Sequence, residues 1–366
     1  MKGRPRWDQC VDHKDGGVPS FINEYFSSPD RCCLLIAGAG FDPRTPSFCK
    51  ILYDTLNARL HVILIREERP NPDVNLVKRA DHNLHSIQSL LTTSKIIKVD
   101  IFAEDNAIVG GRNVISELRS ETLGAYTDIV IDLSALSIGV SFPIVRFMYE
   151  SAQRSDAPLN VHLLVASDPG LDHIITPISS DVVNKIHGFK GGAGLHGETE
   201  PAKLWLPQLS IKRKDDLRRI YDAVDPHDTC PILPFPSRDP KIGDRLAFEF
   251  LAELEDIWEV DTRNIVYADE ENPLDLYRTI LRIDDERQPV FEDFGGSLLV
   301  LSPLGSKVLA LGALMAALER DFPVYYVEAL GYDVDWEKAD EADPGVLAMR
   351  HIWLCGDAYP SDLSSI

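Results

Sequence analysis

Residues 31–45 read RCCLLIAGAGFDPRT. The run 31–37 is apolar without polar alternation, which predicts a strand buried on both faces, as in a parallel sheet. Gly38 and Gly40 follow at its carboxyl end. Glycines there permit close backbone approach or a positive φ. A helix is predicted immediately afterwards over residues 46–57, and its N-terminus offers unpaired N–H groups and the positive end of a dipole. Strand, glycine turn and helix in this order open a parallel α/β sheet.

Working outward, strands are predicted at 60–65, 95–102, 128–133 and 159–166, with helices at 74–91, 107–119 and 142–154. Strands alternating with helices through short loops imply right-handed crossovers and a mainly parallel sheet. The same order returns after residue 202. Strands are predicted at 203–206, 230–234, 264–268, 297–301 and 324–329, with helices at 215–224, 242–255, 274–283 and 307–320. The strand LHVILI begins at 60 and is followed by RPNP; its counterpart TCPIL begins at 229 and is followed by RDPK, 169 positions on. The strands beginning at 129 and 298 keep the same offset. Unrelated connections would drift in length, so a constant offset predicts a duplication.

The expected architecture is therefore α/β, with two tandem Rossmann-like parallel-sheet units in pseudo-twofold relation. Residues 1–31 form an N-terminal extension, 32–170 the first unit, 171–202 a glycine-rich connector or lid, 203–332 the second unit and 333–366 an acidic tail. Within the tail, HIWLC at 351–355 offers one late strand. Two like units predict one shared cleft for a ligand beyond the carboxyl ends of the strands.

Composition bounds the function classes. The 366 residues suffice for two domains, and 44% hydrophobic with 26% charged content matches soluble globular proteins. A net charge of −21 opposes direct nucleic-acid binding. The one dense basic cluster, 211–214 with Arg218 and Arg219, reads as a solvated helix start, with a buried phosphate site as the alternative. The six cysteines include no C-x-x-C pair and suit small buried residues in a reducing compartment. No apolar run reaches the length of a membrane span and the N-terminus has no apolar signal core, so a cytoplasmic protein without a membrane partner is expected. His82 and His85 lie three apart on a predicted helix, but no third ligand accompanies them and no metal is expected.

The chemistry concentrates in the turns. In Ala37–Thr45, Asp42 can accept hydrogen bonds from ribose hydroxyls and Arg44 can pair with a phosphate or carboxylate. Pro43 occupies the third glycine position of G-x-G-x-x-G, and the G-K-[ST] ending of a Walker loop is missing. The alternative is an ordinary turn closed by an Asp–Arg pair. After the fourth strands come Asp132, Ser134 and Ser137 in one half, and Ser302, Gly305, Ser306 and Lys307 in the other. Small hydroxyl residues and glycine at a helix start make an anion nest, or merely cap the helix. Arg238, in a proline-rich turn, can face the same cleft, or simply belong to a structural turn. The 188–198 segment reads as a flexible connector or as a lid bearing Lys190, His196 and Glu198.

Two resemblances follow from these motifs. GAGFDPRT resembles the first motif of class I S-adenosylmethionine-dependent methyltransferases, especially the leucine-carboxyl-methyltransferase-like group with its G-x-G-L-D-T-R sequence. The resemblance covers eight residues. It implies S-adenosylmethionine as cofactor and functional acids at Glu67 or Glu68, Asp100, Asp105 and Asp132. It also implies a sheet completed by an antiparallel strand pair, at a point where this chain starts its second repeat. The second stretch, SPLGSK with its apolar helix and VYYVE at 324–328, is similar to the last Rossmann unit of CARF and SAVED sensor domains. Those domains bind cyclic nucleotides in prokaryotic antiviral systems. That likeness implies that Ser302, Gly305, Ser306 and Lys307 face the ligand, with Ser134 and Ser137 as their partners. Three functions are thus expected in order: a ligand sensor for a nucleotide or another phosphorylated small molecule, acting on a protein effector; a methyltransferase using the first unit; and a non-catalytic scaffold subunit. No catalytic set can be assigned from spacing.

Overall fold

The structure, a computed structural model, describes residues 4–91, 93–155, 157–191, 200–336 and 347–359. The chain divides into two compact units: unit 1 holds Gln9–Ile178 and Leu330–Ile366, and unit 2 holds Lys2–Asp8 and Ser179–Ala329. Unit 1 contains β1 (Asp12–Lys14), α1 (Gly17–Tyr25), β2 (Cys33–Gly38), α2 (Ser47–Leu56), β3 (Leu60–Glu68) and α3 (Val74–Leu90). It continues through β4 (Ser94–Asp100), α4 (Gly110–Leu118), β5 (Asp128–Asp132), α5 (Ile138–Gln153), β6 (Asn160–Ser167) and α6 (Pro169–Ile174). Strand β7 (Ile175–Lys185) then carries the chain into unit 2.

The unit 1 sheet has seven strands in the order β1-β14-β6-β5-β2-β3-β4, where β14 is Ala348–Cys355. The five strands β2 to β6 are parallel. Every residue of β2, β5 and β6 is buried, as their predominantly apolar runs demand once helices cover both faces. At the β4 edge, Lys95, Lys98 and Asp100 are exposed, and these charges discourage further strand pairing. From β2 the chain builds outward to β3 and β4, then returns to add β5 and β6 on the other side. The crevice between the carboxyl ends of β2 and β5 is therefore the switch point of the sheet. Phe48 and Leu52, one helical turn apart on α2, close the core over Leu35, Leu64 and Val130. Each such side chain contributes about 1.5–3 kcal/mol of burial.

Two expected boundaries differ. Residues 12–26 are integral to unit 1: β1 joins the sheet, and Val18, Ile22 and Phe26 enter its core. The tail also returns. β14 pairs antiparallel with β6, and β1 pairs antiparallel with β14. Ile352 and Leu354 are fully buried, and without β14 the apolar edge of β6 would lie open. Unit 2 thus interrupts unit 1 between β6 and β14, so the units are nested in sequence where a tandem order was expected. Residues 175–185, read as connector, form the long strand β7. His196 and Glu198 lie outside the described residues.

Unit 2 contains β8 (Ala202–Pro207), α7 (Lys214–Val224), β9 (Asp228–Thr229), β10 (Ile232–Pro234), α8 (Ile242–Glu249) and β11 (Val266–Ala268). Then follow α9 (Pro273–Phe291), β12 (Ser297–Ser302), α10 (Lys307–Arg320) and β13 (Tyr325–Val334), which pairs with β7 and from Leu330 onward belongs to unit 1. Parallel pairing joins β12 to β8, β8 to β9 and β10 to β11. Parallel bridges Gln208 to Ile232 and Leu301 to Val324 extend this row at both sides. Taken by itself, unit 2 therefore repeats the order of the five parallel strands of unit 1. The strand expected at 230–234 is split into β9 and β10, because Pro231 has no N–H for the ladder. The helix expected at 242–255 stops at Glu249 and is followed by a π-helical turn, Glu253–Ile257. No helix among the described residues is long and apolar enough to cross a membrane.

Candidate functional site

The switch point of unit 1 is lined by the turn after β2. A Cβ on Gly38 would stand 3.1 Å from the backbone oxygen of Ala135, in the turn after β5. Glycine is needed there because two backbones pack together. Neither Gly38 nor Gly40 has a positive φ, so the left-handed conformation anticipated for this loop is not used. At Gly40 the nearest heavy atom to a Cβ is the Ala135 oxygen at 3.8 Å, and the backbone is partly exposed. Asn83 of α3, which the sequence did not single out, donates from its amide to the carbonyls of Gly40 and Asp42, both at 2.9 Å.

Asp42 and Arg44 do not reach outward. The Arg44 guanidinium donates from Nε to Asp42 Oδ1 at 2.9 Å and from Nη2 to Oδ2 at 2.7 Å. Its Nη1 donates to Asp172 Oδ1 at 2.9 Å. Arg44 is only 4% exposed. Burial alone would lower its pKa, but Asp42 and then Asp172 outweigh it, and the pKa is raised. The ribose role expected for Asp42 and the phosphate role expected for Arg44 are replaced by a buried ion pair that closes the turn.

The turn after β5 is also internally satisfied, in part. Asp132 Oδ1 accepts from Ser134 N at 2.9 Å and from Ser134 Oγ at 2.5 Å, and Ser134 Oγ accepts from Ala166 N at 2.7 Å. Asp132 and Ser134 therefore hold β5 to β6 instead of facing a ligand. Ser137 differs. It stands at the N-cap of α5 without capping it, and its buried Oγ has no hydrogen-bond partner among the described residues. Thr45 Oγ1, on the opposite turn, is likewise buried and unpartnered. The Ser137 N–H donates to Glu67 Oε1 at 2.8 Å, while Glu67 Oε2 pairs with Arg69 at 2.8 Å. The nest expected for an external anion thus holds the protein's own carboxylate, brought in from the end of β3.

Aromatic side chains from the end of β13 flank this edge. Tyr332 lies 5.2 Å from the Phe41 ring, with the Arg69 guanidinium 5.3 Å over its face. Trp336 lies 6.5 Å from Phe41 and beneath Arg79 at 4.0 Å. These contacts join residues 257 to 295 positions apart, and no local pattern signalled them. Asp100 and Asp105 are exposed beside β4, and Glu68 pairs with Arg66 at 3.3 Å. His82 and His85 face solvent, and no group of metal-ligating side chains is found among the described residues.

The corresponding turns of unit 2 are filled. Gln208, directly after β8, is 1% exposed; it donates to the Leu309 carbonyl at 3.1 Å and accepts from Gly305 N at 3.2 Å. A Cβ on Gly305 would stand 2.8 Å from Gln208 Oε1. Ser302 Oγ accepts from the Trp205 indole at 2.9 Å, and Ser306 caps α10 through Leu309 N at 3.2 Å. Arg238 is exposed and pairs with Glu271 at 2.5 Å. Lys307 is half-buried at the first position of α10. Ser302, Gly305 and Ser306, expected to face a ligand, are thus engaged by their own unit.

All six cysteines are free thiols. Burial, with the nearby Asp132 or Asp228 charge, pushes Cys49 and Cys230 up to about 12, which keeps them unreactive.

No family model matches the chain, and no curated protein matches it. Among solved structures, the crystal structure of the glycopeptide N-methyltransferase MtfA complexed with sinefungin is similar at 13% identity. The likeness covers 47% of this chain and 60% of that one, under two thirds of its length, with a TM-score of 0.21. At that score it decides nothing about function.

Proposed function

We propose that unit 1 binds a nucleoside-bearing small molecule at the crevice between β2 and β5, as a sensing or regulatory module. One observation carries the reading: the Gly38–Gly40 turn offers backbone at the switch point, with the Glu67 carboxylate on the next strand end. A carboxylate in that position accepts from ribose hydroxyls. Its negative charge disfavours a phosphate at the α5 N-terminus, which narrows the ligand from phosphorylated molecules in general to one presenting hydroxyls there. Ser137 Oγ and Thr45 Oγ1, buried and unpartnered on the two flanking turns, suit a polar ligand. Phe41, Tyr332 and Trp336 supply ring faces for a base.

A second reading is methyl transfer from S-adenosylmethionine. The specific observation in its favour is the antiparallel placement of β14 beside β6, with β1 beyond it, because the methyltransferase resemblance calls for an antiparallel pair closing the sheet. The Gly38–Gly40 turn and Glu67 would hold the cofactor, which supplies the methyl group. Arg44 would take no part.

Thermal unfolding with S-adenosylmethionine, S-adenosylhomocysteine and cyclic oligoadenylates tests both readings. A ligand at one hundred times its Kd stabilises the folded protein by about 2.7 kcal/mol. Stabilisation by the two adenosyl compounds alone supports the methyltransferase reading; stabilisation by the cyclic nucleotides supports the sensor. No response to any of them favours the scaffold reading and ends both proposals.

A further inference from the structure

A row of polar groups crosses four adjacent strands on one face of the unit 1 sheet, away from the switch point. Asp128 opens β5, and His162, His351 and His13 follow on β6, β14 and β1. His162 Nε2 lies 3.2 Å from Asp128 Oδ1, and His162 Nδ1 lies 3.0 Å from His351 Nε2. His351 Nδ1 lies 2.9 Å from His13 Nδ1. Asp128 is fully buried and His162 and His351 are each 1% exposed, whereas His13 is half-buried. Phe21 of α1 stacks on His13 and His351 at 4.5 and 4.2 Å, and Trp353 packs on His162 at 4.8 Å. These rings cover the row and leave half-buried His13 as its end toward solvent.

We propose that Asp128, His162, His351 and His13 form a single-file proton relay that fastens strand β1 to the sheet and releases it in acid. The argument begins at Asp128. Tyr25 and Thr127 donate to it at 2.9 and 2.6 Å, and the Arg31 guanidinium stands 3.7 Å away. Surrounded by donors and a cation, it is a carboxylate and only accepts. His162 must then donate from Nε2, which leaves Nδ1 to accept from His351 Nε2. His351 Nδ1 is left to accept from His13 Nδ1. Every link thus contains one proton, and all three neutral tautomers are fixed by the one carboxylate.

One further proton can enter at His13 Nε2 without disturbing a link. If each link proton then hops inward by one site, the net change is one solvent proton gained and the Asp128 carboxylate converted to the acid. A second proton has no place, because every interior nitrogen already shares a link. Once β1 detaches, His351 Nδ1 no longer accepts from His13 and is freed to bind a proton, while His13 can still take one at Nε2. The open form thus binds one more proton than the closed form, and acid favours it. The other ionisable groups facing the row are Asp12 on β1, Tyr25 on α1, Cys33 on β2, and Arg31 and Asp357 in flanking turns. Burial lowers His13, His162 and His351 below the usual imidazole value of 6.5, against the opposing pull of Asp12 on His13 and of Asp128 on His162. For imidazoles lowered in the closed form, the attachment is complete above about pH 6.5 and weakens as the pH falls below it.

Two measurements on the full chain decide the matter. Ring-nitrogen NMR at pH 8 is expected to find the proton of His13 on Nδ1 and those of His162 and His351 on Nε2. A proton on Nδ1 of His162 or His351 at that pH overturns the relay. Hydrogen-exchange protection of the β1–β14 amides is expected to fall between pH 6.5 and 5, approaching tenfold per pH unit. His13→Phe keeps a ring against Phe21 but leaves His351 Nδ1 free to take a proton, so its protection is expected to lose this pH dependence. A flat wild-type profile, or an unchanged profile in the folded variant, overturns the release; if the variant does not fold, the tautomers and the wild-type profile decide.

Discussion

The first turns of the two units make opposite use of the same strand order. After β2, two backbones meet closely, with the Ala135 oxygen 3.1 Å from where a Gly38 Cβ would stand. After β8, the Gln208 side chain occupies the equivalent crevice and ties itself to Gly305 and Leu309. One switch point is lined with backbone, and the other is plugged. The comparison teaches that strand order alone does not make a ligand site; what stands in the crevice does. It also gives the asymmetry of the two halves a physical form, because a buried amide with both its groups paired is costly to displace.

The largest expected effect concerns the closure of the first turn. Arg44→Ala leaves Asp42 buried without its partner and is expected to cost about 3 kcal/mol in denaturant unfolding, allowing for the partial exposure of Asp172. Ligand stabilisation is expected to survive in this variant. A loss below 0.5 kcal/mol accompanied by loss of the ligand response would return Arg44 to the role of ligand contact. Next comes Gly40→Val, which adds a side chain where space is open and the φ is ordinary. It is expected to leave the unliganded protein folded while abolishing the roughly 2.7 kcal/mol of stabilisation by saturating ligand. An undiminished thermal shift would remove the β2 turn from the site.

Gln208→Ala tests the plug. It orphans Gly305 N and removes the second donor to the Leu309 carbonyl, and is expected to destabilise the protein by about 2 kcal/mol, read as a shift in urea midpoint. The nucleoside response should be unchanged, and a response altered by Gln208→Ala would mean that unit 2 takes part in binding. The smallest effect is expected from Lys307→Glu. An acid at the first position of α10 complements the helix dipole, so stability should change by no more than about 0.5 kcal/mol, with the ligand response intact. Loss of that response would restore the sensor resemblance centred on SPLGSK.

Much of the fold was legible because it rests on local period. The buried run of β2 announced itself as an unbroken apolar stretch, β5 and β6 as largely apolar ones, and the helices between them as the spacing that returns to the sheet. The nesting of unit 2 was hidden because β14 contains buried Arg350 and His351, which look like surface residues in a one-dimensional reading. Gly38 was recognisable as a point of close approach, but its partner Ala135 lies 97 positions away. The pairing of Asp42 with Arg44, two residues apart, was visible as an alternative to ligand binding, and the third partner Asp172 was not. The histidine row left no trace in the sequence, since it takes one residue from each strand and so has no period.

The sequence by itself determined the alternation of strands and helices from β2 to β6 and again from β8 to β12, because it depends on near neighbours, but not β1 or β7. It also determined that glycine stands after β2 and glutamine after β8. Only the tertiary structure decided whether a charged or polar group faces outward or is used up at home. Arg44 meets Asp172, Gln208 meets Gly305, and His162 meets His351 across 97 to 189 residues of chain. Burial makes every unpaired polar atom costly, so such groups are driven to find partners, and packing alone determines which partners lie within reach.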